Sequence, residues 1–194
     1  GFQNYVVNGF VFTLMEDLQG NIWFGTWGQG IGYLNKKTGV IEQYNNTPER
    51  MMGLSSDKIQ SVYRDSKGYL WVGTKGGGLN VALIDDVIAR RGRFTVFRHQ
   101  PQNARSLSYN DVYDIREDLN GNIWIATGRG LNKLVIPEGI TRSKALADGS
   151  AVFEVIRERE GLPGGLVYTI RTDANGHLWL GTNNGLGRFS FQDS

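Results

Sequence analysis

The stretch Asp17-Leu18-Gln19-Gly20-Asn21-Ile22-Trp23-Phe24-Gly25-Thr26 recurs three more times along the chain. Its counterparts begin at Asp65, Asp118 and Asp173, at intervals of about 50 residues. All four share the form Asp-x-x-Gly-x-apolar-Trp-apolar-Gly/Ala-Thr. A repeat of this length is typical of propeller blades, each of which is a small antiparallel sheet. The sequence therefore predicts an all-β fold, a β-propeller built of four four-stranded antiparallel blades.

The chemistry of the repeat assigns its strands. Asp at the first position and Gly at the fourth suit a tight turn between two antiparallel strands, because Asp caps backbone N–H groups and Gly accepts positive φ. The strand that contains the Trp is apolar on both faces, which indicates that other sheets cover it on both sides. A Gly-rich turn and a third strand follow, and outer strands are expected at 41–44, 94–97 and 153–156.

The last copy has no outer strand of its own. The segment Phe2-Gln3-Asn4-Tyr5 has the same apolar-x-x-aromatic form, so residues 2–6 are predicted to complete the last blade, close a ring and hide a sheet edge. Residues 1–194 then form one propeller domain. Two alternatives stay open: an arc of a larger ring, or half of an eight-bladed ring formed by a homodimer. The blade repeats are expected near 9–45, 57–99, 110–157 and 165–191.

Composition excludes several classes of function. The net charge of +2 is too small to indicate a nucleic-acid partner. The chain has no cysteine and only two histidines, His99 and His177, which excludes thiolate chemistry and a multi-histidine metal centre within one chain. No phosphate-binding loop or nucleophile elbow occurs. We therefore expect no cofactor, no metal and no catalytic residue, and the protein is predicted not to be an enzyme.

The repeat, preceded by Gly-Leu-Ser and a Val-x-x-Ile strand, resembles the two-component regulator propeller repeat, and the resemblance covers residues 2–191. In that family such repeats build the periplasmic sensor region of membrane-bound hybrid two-component kinases, and many members respond to oligosaccharides. The resemblance implies a periplasmic ligand-sensing module whose partners are a small molecule and the remaining domains of a kinase anchored in the inner membrane. Family sensor regions carry more blades, often with a β-sandwich, and this chain has neither these nor kinase motifs.

Ligand contacts are expected where the four copies differ, since a residue repeated in every blade serves the architecture. In propellers the turns between the second and third strands lie on one rim of the channel. Trp27 is the only tryptophan outside the repeat, and a flat indole suits stacking on a sugar face. Lys75 and Arg129 suit an anion, and amide side chains suit sugar hydroxyl groups. The predicted ligand-binding residues are Trp27, Gln29, Lys75, Arg129, Asn183 and Asn184.

Two other function classes are kept. A propeller can serve as a protein–protein interaction module without any pocket. The Gly-Asn-Ile-Trp-Phe string at Gly20–Phe24 is also similar to the repeats of virginiamycin B lyase. That family uses a catalytic histidine, but His177 occupies a position in the Asp-x-x-Gly turn region that other copies fill with Asn or Tyr.

Overall fold

The fold is a row of four antiparallel sheets, which we call blades 1 to 4, in a computed structural model that describes residues 1–46 and 53–190. In each blade the strands are hydrogen-bonded in sequence order, and the first is the innermost. Blade 1 holds β1 (Val11–Glu16), β2 (Ile22–Thr26), β3 (Ile31–Leu34) and β4 (Ile41–Tyr44). Blade 2 holds β5 (Ile59–Arg64), β6 (Tyr69–Thr74), β7 (Gly78–Leu83) and β8 (Thr95–Phe97).

Blades 3 and 4 continue the row. Blade 3 holds β9 (Val112–Glu117), β10 (Ile123–Thr127), β11 (Gly130–Val135) and β12 (Val152–Ile156), and blade 4 holds β13 (Val167–Thr172), β14 (Leu178–Thr182) and β15 (Gly185–Phe189). The short helices α1 (Ile84–Ile88) and α2 (Arg142–Ala147) lie in the insertions after β7 and β11, and a 3-10 turn spans Glu158–Glu160. None of the helices in the described ranges is long and apolar enough to cross a membrane.

One hydrogen-bond pattern explains why Asp, Gly and Trp recur together. In blade 2 the Asp65 carboxylate accepts the backbone N–H groups of Lys67 (3.0 Å) and Tyr69 (2.9 Å) through Oδ1. Its Oδ2 accepts the indole Nε1–H of Trp71 at 2.8 Å. Gly68 closes the turn with a φ of 85°, a conformation that favours glycine. The other three blades repeat the bond from indole to carboxylate, so the turn and the tryptophan rotamer are fixed as one unit.

The core lies between the blades. The inner strands β1, β5, β9 and β13 stand side by side, and each buried tryptophan packs against the inner strand of the next blade. Trp71, for example, shares a hydrophobic cluster with Val112 and Ile115 of β9, and Trp124 shares one with Val167 and Ile170 of β13. Because a blade buries its tryptophan only against its neighbour, the blades stabilise one another in series.

The prediction that residues 2–6 complete the last blade is wrong. These residues form no strand, and the sheet of blade 4 has three strands within the described part of the chain. The N-terminal segment instead follows blade 1: the Asn8 backbone exchanges two hydrogen bonds with the Gln43 side chain, and the Trp27 N–H donates to the Phe10 carbonyl at 2.9 Å. These bonds direct the start of the chain along its own first sheet.

Both end faces of the row are uncovered. Leu14 on β1 is 67% exposed, whereas Val62, at the same place in blade 2, is 4% exposed. At the other end Leu186 is 69% exposed, whereas its counterpart Leu131 is fully buried. This arrangement corresponds to the open-arc alternatives, in which a further blade or a second copy would cover these faces; which of the two applies stays a prediction.

Candidate functional site: a groove along the inner strands

The four inner strands line a groove with a cavity of about 390 Å³. It runs along the side of the row where β1, β5, β9 and β13 lie closest together. Side chains from all four blades contribute: Phe12, Thr13, Leu14, Met15, Gln60, Ser61, Val62, Tyr63, Tyr113, Asp114, Arg116, Tyr168, Thr169 and Arg171. A volume of this size falls in the range of small-molecule sites.

A β-bulge occurs at the same place in every inner strand. In blade 3 Val112 pairs with Thr127 and Asp114 pairs with Ala126, so Tyr113 is the extra residue without a partner. The equivalent bulged residues in the other blades are Phe12, Gln60 and Tyr168. A bulge of this kind redirects a side chain, and all four bulged residues line the groove.

Sequence reasoning missed these bulged residues. The available signal was a column of the repeat, two residues before the recurrent apolar residue of the first strand, that holds Phe12, Gln60, Tyr113 and Tyr168. Three large aromatic groups in a column that varies between blades do not serve the repeated architecture. Because ligand contacts were expected only in the rim turns, these inner-strand residues were not predicted.

Blade 3 contributes a nearly buried carboxylate to the groove. Asp114 is 6% exposed and accepts hydrogen bonds from the Ile170 backbone N–H (2.9 Å) and the Thr169 hydroxyl (3.1 Å) on β13. It also pairs with Arg171 Nη1 at 2.8 Å and with Arg116 Nη1 at 3.1 Å. One carboxylate therefore ties two blades together and faces two guanidinium groups.

In this part of the groove two positive charges, those of Arg116 and Arg171, face one negative charge, that of Asp114. Burial lowers the pKa of Arg116; the Asp114 carboxylate opposes this change, and the nearby charge of Arg171 adds to it. The Arg116 guanidinium also lies 5.4 Å from the ring centroid of Tyr63, a cation–π distance. The described lining residues of blades 1 and 2 are all uncharged.

Two of the residues predicted from the rim turns lie beside the groove. The ring of Trp27 packs on the groove residue Phe12, with centroids 5.6 Å apart, and is 39% exposed. Lys75 lies 5.9 Å from the ring of Tyr113 and forms an ion pair with Asp111, which raises the pKa of the lysine. The positive charge of Lys75 is therefore already matched by a carboxylate.

The other four predicted residues make local contacts away from the groove lining. Gln29 donates its backbone N–H to the Thr26 hydroxyl, and the Arg129 guanidinium stacks on Tyr109 at 4.9 Å. Asn183 accepts the Leu166 N–H at 3.0 Å, and Asn184 donates to the Pro163 carbonyl at 2.9 Å. Both asparagines hold the connection that leads into blade 4. Of the six residues, Trp27 and Lys75 each contact a residue of the groove lining, and ligand contact by any of the six stays a prediction.

Neither histidine belongs to the groove. His99 Nδ1 lies 2.9 Å from the Leu107 carbonyl in the connection before blade 3. His177 Nδ1 lies 3.1 Å from the Asp173 carboxylate in the turn between β13 and β14. Within residues 1–46 and 53–190 no three histidine, aspartate or glutamate side chains group as metal ligands would.

Comparison with known proteins agrees with the repeats. The two component regulator propeller repeat matches residues 5–28, 53–76, 106–129 and 161–184, one match for each blade. The chain belongs to the two component regulator propeller family. Each match runs from the connection before a blade, through the inner strand and the Asp-x-x-Gly turn, to the rim turn after the second strand.

The proteins that this chain resembles are much longer than the chain itself. The chain is 26% identical over 188 residues to Histidine kinase P4 of Formosa agariphila, covering 97% of this chain and 13% of that protein. It superimposes with a TM-score of 0.71 on the extracellular domain of a hybrid two component system of B. thetaiotaomicron, at 20% identity, covering 95% of this chain and 25% of that one. The chain thus spans a small part of these proteins.

A lyase shares the architecture as well. Virginiamycin B lyase from Staphylococcus aureus superimposes with a TM-score of 0.59 at 19% identity, over 92% of this chain and 51% of the lyase. At such identities both structural likenesses show the fold alone. The family assignment rests on the four repeat matches, which fall on the strands and turns described above.

Proposed function

We propose that this propeller is a periplasmic ligand-sensing module of a two-component receptor, without catalytic activity of its own. Its ligand is a small molecule of the oligosaccharide class, and it binds in the groove and against the adjoining rim at Trp27. The kinase domains of the parent receptor are its partners, and they convert occupancy of the groove into a signal. Membership of the family and the likeness to a histidine kinase support this assignment.

The observation that carries the proposal is the set of bulged residues. Phe12, Tyr113 and Tyr168 place aromatic rings in one groove, beside the polar groups of Gln60 and Asp114. Aromatic faces suit the C–H surface of a sugar ring, and a few fixed polar groups orient its hydroxyl groups. Bulges set these side chains on a rigid sheet, so the site is preorganised.

A thermal-shift screen of the purified chain against neutral and acidic oligosaccharides tests the proposal. Saturation at 100 times Kd adds about 2.7 kcal/mol of stability, which raises Tm by roughly 5–10 °C for a chain of this size. Tyr168→Ala and Trp27→Ala should each reduce the shift. Leu18→Ala, at another exposed apolar residue of blade 1 outside the groove lining, is the matched control and should leave it unchanged.

The outcome separates the sensing module from its alternative. A shift that Tyr168→Ala abolishes supports a ligand site in the groove. If no oligosaccharide shifts Tm, the sensing proposal fails for this chain, and a propeller that binds a protein partner becomes the better interpretation. If Trp27→Ala leaves the shift intact while Tyr168→Ala removes it, the ligand lies in the groove and does not reach the rim.

A further inference from the structure

We propose that the groove recognises an acidic ligand, with a carboxylate or sulfate group held between Arg116 and Arg171. This inference rests on the proposed function and specifies the chemical class of the ligand. It places the anion at the end of the groove formed by blades 3 and 4, where the charged lining residues Asp114, Arg116 and Arg171 lie.

The hydrogen bonds of the two arginines leave donors available. Arg116 uses Nη1 for the Ile115 carbonyl at 2.7 Å and for Asp114. Arg171 also uses Nη1, for the Ile170 carbonyl at 2.6 Å and for Asp114. Among the described residues no hydrogen bond engages Nε or Nη2 of either side chain. A guanidinium that keeps two donors on one edge can bind an oxyanion in bidentate fashion.

Charge counting points the same way. Two guanidinium groups face one carboxylate, Asp114, so one positive charge is unmatched. Of the other acidic side chains of this region, Asp111 pairs with Lys75, and Glu117 lies outside the groove lining, where it accepts the backbone N–H and hydroxyl of Ser66. An anion at the arginines would relieve the repulsion between the two guanidinium groups. Burial, and to a smaller extent this repulsion, lower the pKa of Arg116.

Aromatic groups beside the arginines supply the place for a sugar ring. Tyr113 and Tyr168 pack edge to face with centroids 5.3 Å apart, and Tyr168 is half exposed. Arg171 is three residues further along β13 and is 63% exposed in its side chain. A saccharide on the face of Tyr168 would therefore direct an acidic substituent toward the arginine pair. A neutral saccharide would leave that positive charge unmatched.

This assignment moves the anion site away from the rim. The rim turns suggested Lys75 and Arg129 as anion contacts, but Lys75 already has a carboxylate partner and Arg129 stacks on Tyr109. The unmatched charge lies on β9 and β13 instead. It lies on rigid strands beside two aromatic rings, which is a better arrangement for a specific site than a turn.

Titration calorimetry with three matched trisaccharides tests the inference. The probes are a galacturonic acid trisaccharide, a sulfated galactose trisaccharide and a neutral galactose trisaccharide. Arg171→Gln should weaken the binding of the acidic probes at least tenfold and leave the neutral probe unchanged. Arg171→Lys, which keeps the charge but not the planar fork, should give an intermediate loss. Arg159→Gln is the control, because its side chain is exposed and lies outside the groove.

Each result decides between the two proposals. Tighter binding of the carboxylated or the sulfated probe, lost in Arg171→Gln, supports the anion site and names the acid. Binding of the neutral trisaccharide alone, or equal affinities in Arg171→Gln and wild type, overturns the anion site and leaves the sensing function standing. Absence of binding by all three probes overturns both. Because Arg171 is mostly exposed, its variants should fold, and a far-UV circular dichroism spectrum like that of wild type verifies this.

Discussion

Leu14 in blade 1 and Ile115 in blade 3 occupy the same place in the repeat but have opposite surroundings. Both pair with the residue that follows the tryptophan on the second strand. Ile115 is fully buried, because blade 2 covers that face of blade 3, whereas Leu14 is 67% exposed. The local sequence thus specifies the sheet, and the neighbouring blade supplies the burial. An inner blade and an end blade should therefore respond differently to the same substitution.

The largest expected difference concerns the repeated tryptophan. Trp71→Ala removes a fully buried indole from the contact with blade 3 and should cost about 3–5 kcal/mol of the free energy of unfolding. Trp179→Ala, in end blade 4, should cost clearly less, because Trp179 is only half-buried. Urea unfolding followed by circular dichroism measures both. The lost hydrogen bond is the same in each, since either indole donates to an aspartate at 2.8 Å, so equal losses would contradict the comparison.

The second comparison concerns the contacts between blades. Asp114 and Ser61 occupy equivalent positions, but Asp114 bridges blades 3 and 4, whereas the buried Oγ of Ser61 has no hydrogen-bond partner among the described residues. Asp114→Ala should lower the free energy of unfolding by about 2–3 kcal/mol, because it leaves the Ile170 N–H and the arginines without their acceptor.

Ser61→Ala is the matched substitution for that test. It removes a hydroxyl group that makes no described hydrogen bond, so the free energy of unfolding should change by about 0.5 kcal/mol or less, or rise. The same urea titration applies to both variants. A large loss in Ser61→Ala would mean that its hydroxyl has a partner, such as an ordered water, and that the two interfaces are more alike than their direct contacts indicate.

Much of the fold was readable because one string recurred four times. The Asp-x-x-Gly turn, the tryptophan strand and the Gly-rich turn each have a local chemical cause, so the strand order within a blade followed from the sequence. The place of residues 2–6 could not be predicted in this way, because an apolar-x-x-aromatic pattern does not specify which strand it pairs with. Their place was decided by side-chain bonds such as those between Gln43 and Asn8, which have no sequence signature.

The candidate site was harder to predict than the fold. Trp27 was identified because it stands outside the repeat, and it does lie beside the groove. The bulge at Tyr113 was not identified, because a one-residue slip depends on the pairing of two strands and is invisible in either strand alone. The unmatched charge of Arg171 could be recognised only after Asp114 was known to face both arginines.

A smaller effect is expected from pH at the turn of blade 4. The indole N–H of Trp179, with further hydrogen bonds from His177 and Asn175, lowers the pKa of Asp173 from its ordinary value of 3.8 to about 2. A folded-state pKa below the unfolded one stabilises the fold above the unfolded value. This contribution is therefore present above about pH 4 and is lost as the pH falls toward 2.

Carbon-detected NMR of the Asp173 carboxyl group measures that pKa directly. Asp173→Asn removes the titration, so its stability should fall less steeply between pH 4 and pH 2 than that of wild type. A midpoint near 4 in the folded protein would show that the bond to Trp179 in this exposed end blade is weaker than its 2.8 Å length indicates.

The smallest change in unfolding free energy is expected at Leu14 itself. Leu14→Ser on the uncovered face should alter the free energy of unfolding by about 0.5 kcal/mol or less, as surface substitutions do. Val62→Ser at the equivalent buried place should cost several times more.

Sedimentation velocity of the Leu14→Ser variant adds a second result. If a second copy covers this face, wild type should self-associate and the variant should not. If both sediment as monomers, no second copy covers the face, which is the result expected for an arc of a larger ring. A large loss of stability in Leu14→Ser would contradict an exposed Leu14 and would show that this face is covered within the chain.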